Sequence, residues 1–469
     1  VAALVAALVS GVWLGARGVA LVCLLAIAAT RLIGRSFSRH ATRLVVAVII
    51  VAVCGWVLGA RAWALTQPRH LGHYTGWVQV AADPAPYGSG LRVTVEVEGE
   101  RFDVWAYGGR RARLAEAQVG EFVWVQGERS GFGPGSGQRR AAVRHVVGRF
   151  TVLVLGDRVT GSALASTSNR VRDRLRDSAE ASMPGDVAAL FTGLVIGDDA
   201  RQSPAMVADF RASGLSHLTA VSGQNVAFVL AAALPLLRRL PPWWRWAGTI
   251  GAVGLFMTIT RFEPSVLRAG VMAGLAATAF VLGRQVSPMR LLALAVGGLV
   301  TIDPLLVWSV GFWLSVGATA GVCLVGPWLG SRLPGPAWLR LPLAITLGAQ
   351  AGVALPSLLV FGRLPLVSPL ANLAAVPVAA VVMLYGLPAG LLAPALPAPA
   401  DSLVMAPNSI GTRWVATVAR VGAAVEPSPG WSMAGWLLLI AMWGGWRLVR
   451  YANVGTRWRS TSSPATTNR

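Results

Sequence analysis

Apolar runs long enough to cross a bilayer recur along this chain, and they limit its fold more than any other feature. They lie at residues 1–15, 19–33, 44–65, 218–237, 246–261, 265–283, 288–302, 305–330, 341–361, 366–399 and 431–450. About 20 such residues in a helix span the hydrocarbon core. Hydrophobic residues make up 54% of the chain and charged ones 13%, which excludes an ordinary soluble protein. The run at 366–399 is too long for one span and is interrupted at Gly386 and Pro388, so two short helices are expected there. The runs predict a mainly α, polytopic membrane protein of about twelve spans. Residue 1 is Val, and the first run reaches only Gly15 before Arg17. This fits a non-Met start or a few missing residues better than a cleaved signal peptide, because no basic segment leads it.

One stretch breaks the helical texture. From about Leu71 to Asp157, short alternating segments (Leu91 to Val97, Arg101 to Tyr107, Glu121 to Gly127) are separated by Gly- and Pro-rich turns. Period-two alternation marks strands, and this many in so short a stretch fits a small barrel or a half-open sandwich. The chain then divides into N-terminal spans (1–66), the strand domain (71–157), a charged linker read as a solvated helix (158–185), a helical membrane core (186–450) and a polar tail (451–469). Two amphipathic segments, Asp186 to Gly197 and Ile410 to Ala424, read as helices lying on the outer surface.

There are 41 basic residues against 20 acidic ones, and every base is Arg. GC-rich coding gives such a bias. Arg also suits phosphate, since its planar fork binds two oxygens and stays charged when partly desolvated. Arg clusters fall at alternate ends of the runs: Arg31, Arg35, Arg39 and Arg43, then Arg238, Arg239 and Arg245, then Arg284 and Arg290, Arg332 and Arg340, and the tail. The positive-inside rule predicts that these ends and both termini are cytoplasmic, and that the strand domain lies outside the cell membrane.

Several chemistries are excluded by residue type. Without Lys no P-loop can occur, and no HExxH, HxH or Cys/His cluster offers a metal site, so no cofactor is expected. Cys23, Cys54 and Cys323 sit in apolar runs as packing residues. Ala-Val-Ser-Gly around Ser222 resembles a serine hydrolase motif, but no His follows it to take its proton, and no catalytic residue is assigned.

What remains is a set of polar residues at membrane depth, where each is costly. The densest cluster is Arg211 to Asn225, with His217, Ser222, Gly223 and Asn225. Such groups either satisfy neighbouring helices or line a passage. Glu263 and Arg268 flank Pro264 at a spacing that suits an ion pair closing a span end, and Asp303 before Pro304 reads as a helix N-cap. Asn372 precedes Pro377 in the last long run.

Four ordered blocks, Gly214-Leu-Ser-His-Leu-Thr-Ala-Val-Ser-Gly223, Pro264-Ser-Val-Leu-Arg-Ala-Gly270, Asp303-Pro with Gly311-Phe-Trp-Leu-Ser315, and Pro369-Leu-Ala-Asn-Leu-Ala-Ala-Val-Pro377, behind a strand domain, resemble the ComEC competence family. The resemblance implies an outward-facing OB-like barrel, a helical core that passes single-stranded DNA through the cytoplasmic membrane, and Arg211, His217, Ser222, Gly223, Asn225, Glu263, Arg268, Asp303 and Asn372 along the path. It also implies a DNA receptor, a cytoplasmic motor and membrane lipid as partners, and a homo-oligomer. Larger members carry a metallo-β-lactamase-like nuclease domain. No counterpart follows Arg450 here, so no nuclease activity is assigned. In the barrel, Arg129, Arg139, Arg140, Arg144 and Arg149 are either ordinary solvated surface or, with Trp105 and Tyr107, the phosphate track and stacking surfaces that single strands need. The rival classes are a transporter of a small solute or lipid and a membrane scaffold.

Overall fold

The computed structural model describes residues 1–33, 39–133, 135–219 and 223–460. Three helices open the chain, α1 (Ala2–Leu14), α2 (Ala16–Ile33) and α3 (Arg39–Ala64). Five strands follow: β1 (Gly72–Tyr87), β2 (Gly90–Val97), β3 (Glu100–Ala106), β4 (Phe122–Gly131) and β5 (Val146–Val159), with helix α4 (Gly109–Ala115) between β3 and β4 and α5 (Ser136–Ala142) before β5. They close into a barrel in the order β1-β2-β3-β5-β4, with β3 and β5 parallel and every other pair antiparallel. This is an OB-like topology. Alternation supplies its core: Val78 and Val80 from β1, Val93 and Val95 from β2, Phe102 and Val104 from β3, Val123 and Val125 from β4, and Phe150 and Val152 from β5 are buried together.

The remaining helices are α6 (Ala163–Ser182), α7 (Gly185–Ile196), α8 (Pro204–Ala212), α9 (Ser216–Thr219), α10 (Gly223–Leu237), α11 (Pro242–Ile259), α12 (Pro264–Val281), α13 (Pro288–Ile302), α14 (Val310–Gly330), α15 (Ala337–Phe361), α16 (Ser368–Leu392), α17 (Ala400–Val425) and α18 (Pro429–Ser460). Their starts follow from local chemistry. Pro204, Pro242, Pro264 and Pro288 open helices where a missing N–H costs nothing, and the hydroxyls of Ser203 and Ser287 accept from Met206 N and Arg290 N. Among the described residues, five helices are long and apolar enough to cross a membrane: Thr42–Ala64, Pro264–Val281, Val310–Gly330, Ala337–Phe361 and Ser368–Ala395. Helices α14 and α15 cross closely. Gly317 and Gly321 lie against Gly348 and Gly352, and a Cβ on any of the four would strike the opposing backbone.

Three readings of the sequence are corrected here. Helix α6 is no solvated linker, because Ser168, Asn169, Arg172, Leu175, Ser178 and Ala179 are buried against the core and Ser178 Oγ donates to Gly390 O at 2.6 Å. Helix α7 does not lie on a surface: every residue from Ala188 to Ile196 is buried, as a helix apolar all round requires. Helix α17 is amphipathic as read, with Met405, Thr412, Val415 and Ala419 enclosed on its inner face and Leu403, Ile410 and Val421 exposed on the other. Helix α16 runs unbroken through Pro377 and Pro388, since Gly386 and Gly390 let it settle against Phe191 and Leu175. Packing there outweighs the lost hydrogen bond.

The barrel is seated on the helical core through polar contacts. Arg261, in the turn between α11 and α12, places Nε 2.9 Å from Asp83 Oδ2 of β1 and donates through Nη2 to Asn169 Oδ1 at 2.8 Å. Arg172 of α6 lies 3.4 Å from the same carboxylate, and Gln118 donates to Asp173 at 2.6 Å. At a second point, His145 Nε2 stands 3.0 Å from Asp303 Oδ2.

Candidate functional site

The polar cluster of the first block falls where helices break. Chain direction changes between α8 and α9 at Gly214, which has φ +75, and α10 begins at Gly223. Gly214 permits both the left-handed turn and a close approach, because a Cβ there would meet Ser368 of α16 at 2.6 Å. Ser368 is in turn held by Asn372, whose Nδ2 donates to Ser368 O at 2.8 Å and Oγ at 3.1 Å. The fourth block therefore packs directly on the first.

The second and third blocks meet the first at Arg268. Only 4% of Arg268 is exposed. Its Nε and Nη2 donate to Ser315 Oγ of α14 at 2.9 and 2.7 Å, and Nη1 points at Met272 Sδ at 3.1 Å. On the other side lies Gly223, where a Cβ would stand 2.8 Å from Nη2. Among the described residues no carboxylate lies within ion-pair distance of this guanidinium. The expected pairing of Glu263 with Arg268 is corrected: Pro264 starts α12, so Glu263 sits at its exposed N-cap position while Arg268 is a full turn inside.

Asp303 caps the 3-10 turn at Pro304–Trp308, accepting from Leu305 N at 3.0 Å. It also faces His145 of the barrel, so one carboxylate ties the barrel to the segment that leads into α14. Asn225 is buried and donates to Leu194 O at 3.3 Å. Arg211 and His217 are exposed on α8 and α9. Ser222 lies outside the described residues.

Sequence reasoning missed a charged network above this site. Arg172, also 4% exposed, donates to Ile196 O and Ile259 O and faces Asp83 and Asp198, while Arg176 reaches Asp198 at 2.6 Å. Burial alone would raise the Asp83 carboxyl. The charges of Arg261 and Arg172 and the bonds from Arg261 and Val119 N–H outweigh it and hold its pKa below the ordinary value. Arg261 and Phe262 both have left-handed backbones, φ 60 and 55, which non-glycine residues adopt only when their surroundings enforce it. The contact with Asp83 supplies such enforcement in the turn that leads into the helix of Arg268. The Gly197-Asp198-Asp199 triplet and Arg261, just before the second block, were the available signals.

On the barrel, two of the five track arginines are held in ion pairs, the buried Arg129 and the exposed Arg144. Arg129 Nη1 pairs with Glu98 at 2.5 Å and Arg144 Nη2 with the buried Asp103 at 2.6 Å. Arg139, Arg140 and Arg149 are exposed. Arg149 lies over the rings of Trp105 and Phe132, 5.2 and 5.6 Å from their centroids, and Tyr87 meets Trp105 edge-on at 6.2 Å. Tyr107 is exposed just past the end of β3, its ring covering Gly90.

These features define a polytopic helical membrane protein whose OB-like barrel sits over converging helix starts around a buried arginine. A sequence profile of the Competence protein family matches residues 194–452, more than half of the chain and all four blocks. The chain belongs to that family. Over 246 residues it is 27% identical to Competence protein ComA of Neisseria gonorrhoeae, taking in 49% of this chain and 34% of that protein. Over 206 residues it is 27% identical to the uncharacterized protein YcaI of Escherichia coli strain K12, taking in 40% of this chain and 27% of that one. The matched segment thus spans well under half of either relative. No solved structure matches the chain.

Proposed function

We propose that this chain forms the passage by which single-stranded DNA crosses the cytoplasmic membrane in natural transformation. Membership of the Competence family and the likeness to ComA support a role in DNA uptake. The observation that carries the channel reading is Arg268: a charge enclosed in the bundle, hydrogen-bonded to a neutral hydroxyl and facing a glycine. Burying a guanidinium without a counter-ion is unfavourable, and a passing phosphate would relieve that cost.

In this reading the barrel receives the strand from a DNA receptor, stacking bases on Trp105 and Tyr107 while Arg139, Arg140 and Arg149 track phosphates. The strand then enters past Arg211, His217 and Ser222 to the constriction formed by Gly223, Asn225 and Arg268, and a cytoplasmic motor draws it through. The tethers Asp83 to Arg261 and His145 to Asp303 fix the barrel to the N-terminal ends of the segments that bring Arg268 and Ser315 together. About twelve spans, with the barrel outside and both termini cytoplasmic, complete the arrangement.

The test is deletion of the gene in its host, followed by feeding of labelled DNA. Loss of nuclease-protected label, restored by the wild-type chain, is expected. Unchanged protection in the deletion strain, with loss of a small solute's transport instead, would replace this reading with a solute transporter.

A further inference from the structure

The Arg-rich end shared by α10, α11 and α12 lies outside the site described above. Arg238 and Arg239 follow the end of α10, Arg245 lies in the first turn of α11, and Arg284 follows α12. Between Asn225 and Ile302 the single acid is Glu263, which stands at the opposite ends of α11 and α12. Among the described residues none of these arginines takes part in an ion pair, and Arg238, Arg239 and Arg284 are exposed. Four positive charges are thus gathered with no compensation from the chain.

Aromatic residues are interleaved with them. Trp243 and Trp244 are 66% and 69% exposed, too much for a core role. Trp246 turns inward instead, donating from Nε1 to Thr278 Oγ1 at 3.0 Å and locking α11 to α12 at this end. The Arg245 guanidinium lies over the Phe280 ring at 4.5 Å. A similar pairing recurs where α14 ends, with Arg332 over Trp328 at 4.6 Å. Exposed indole rings beside arginines, at the ends of apolar helices, match the boundary between headgroups and hydrocarbon in both polarity and shape.

We infer that Arg238, Arg239, Arg245 and Arg284, with Trp243 and Trp244, form a binding site for anionic phospholipid headgroups. The arginines hold the lipid phosphate and the indoles rest at the acyl boundary. A soluble polyanion such as the transported strand would satisfy the charges but leave Trp243 and Trp244 in water, so lipid is the favoured occupant.

The test uses the full chain in neutral detergent, titrated with phosphatidylglycerol or phosphatidylcholine, with retained lipid counted by native mass spectrometry. Each arginine beside an anionic headgroup should contribute up to about fivefold in affinity. Wild type is expected to retain phosphatidylglycerol at least about tenfold more tightly than phosphatidylcholine. Replacing all four arginines by Gln should abolish the preference, and replacing them by Lys should restore most of it, which separates loss of charge from misfolding. The inference is overturned if the Gln variant keeps the preference. It is also overturned if that variant loses binding of a single-stranded oligonucleotide while phosphatidylglycerol binding is unchanged.

Discussion

Arg268 Nη2 stands 2.8 Å from where a Cβ on Gly223 would lie, so the first residue of α10 can carry no side chain unless the guanidinium moves. Gly223→Leu should therefore abolish DNA entry while the protein stays at normal level in the membrane. Gly223→Ala should reduce entry only partly, since the long arginine side chain can yield. Nuclease-protected label per cell, normalised to the immunoblotted protein, measures both. Gly352→Val serves as the contrasting control. It strikes the backbone of Gly317 at the α14–α15 crossing, so its loss of function should come with loss of the protein itself.

Charge and shape at Arg268 separate by substitution. Arg268→Gln keeps a donor for Ser315 but removes the charge, and uptake should fall by about tenfold or more, the scale of a lost charge-assisted hydrogen bond. Arg268→Lys should retain part of the activity, because a point charge still meets a phosphate but the two-nitrogen contact with Ser315 Oγ is lost. Ser315→Ala should be milder than Arg268→Gln. Uptake kinetics at saturating and limiting DNA would rank the three variants.

Asp83 makes the seating of the barrel sensitive to acid. Its folded pKa is depressed, so its contribution is complete above the ordinary aspartate value of about 3.9 and is lost as pH falls through the lowered one. Hydrogen exchange in β1 and in residues 260–263 should stay protected down to about pH 4 and loosen below it. Asp83→Asn should show the loosening already at neutral pH, at a cost of about 1–3 kcal/mol for leaving Arg172 and Arg261 short of a counter-charge. Equal protection in wild type and variant at neutral pH would remove Asp83 from the seating.

Of the exposed barrel arginines, the three in no ion pair among the described residues should govern binding of single strands. Neutralising Arg139, Arg140 and Arg149 together should weaken oligonucleotide binding and flatten its dependence on salt by about two log units per log unit of salt, roughly 0.7 per phosphate contact. Neutralising Arg144 should instead destabilise the barrel, since the buried Asp103 would keep only its bond from Thr94 and lose its counter-charge. Anisotropy titrations across a salt series, with melting curves alongside, distinguish these effects.

The parts of this fold legible in the sequence are those governed by near neighbours. Alternation at Val93, Val95 and Val97 marks a strand because one face of β2 fills the barrel, and Asp303 before Pro304 announces the cap it forms. What was misread depends on distant partners. Arg170 to Ala181 has the charge density of a solvated helix, yet Arg172 is buried because Ile196 O, Ile259 O and Asp83, all far away in sequence, receive it. Pro388 reads as a break, and only the glycines facing Phe191 and Leu175 keep α16 whole. The blocks around Gly223, Arg268 and Ser315 were visible as motifs. That they converge on one guanidinium was not, since Ser315 lies 47 residues from Arg268 and nothing periodic links them.

The central claim, that the strand runs past Arg268, is tested most directly by capture during transit. In a chain whose Cys23, Cys54 and Cys323 are replaced by Ala, Ser315→Cys or the outward-facing Leu355→Cys is introduced, and the host cells are fed DNA carrying a thiol-reactive group on its backbone. The account predicts a covalent protein–DNA adduct at Ser315→Cys, at least about tenfold above that at Leu355→Cys, as expected for a reaction made effectively intramolecular by the passage. Cells that still take up DNA but form no adduct at position 315, or form as much at 355, would contradict it.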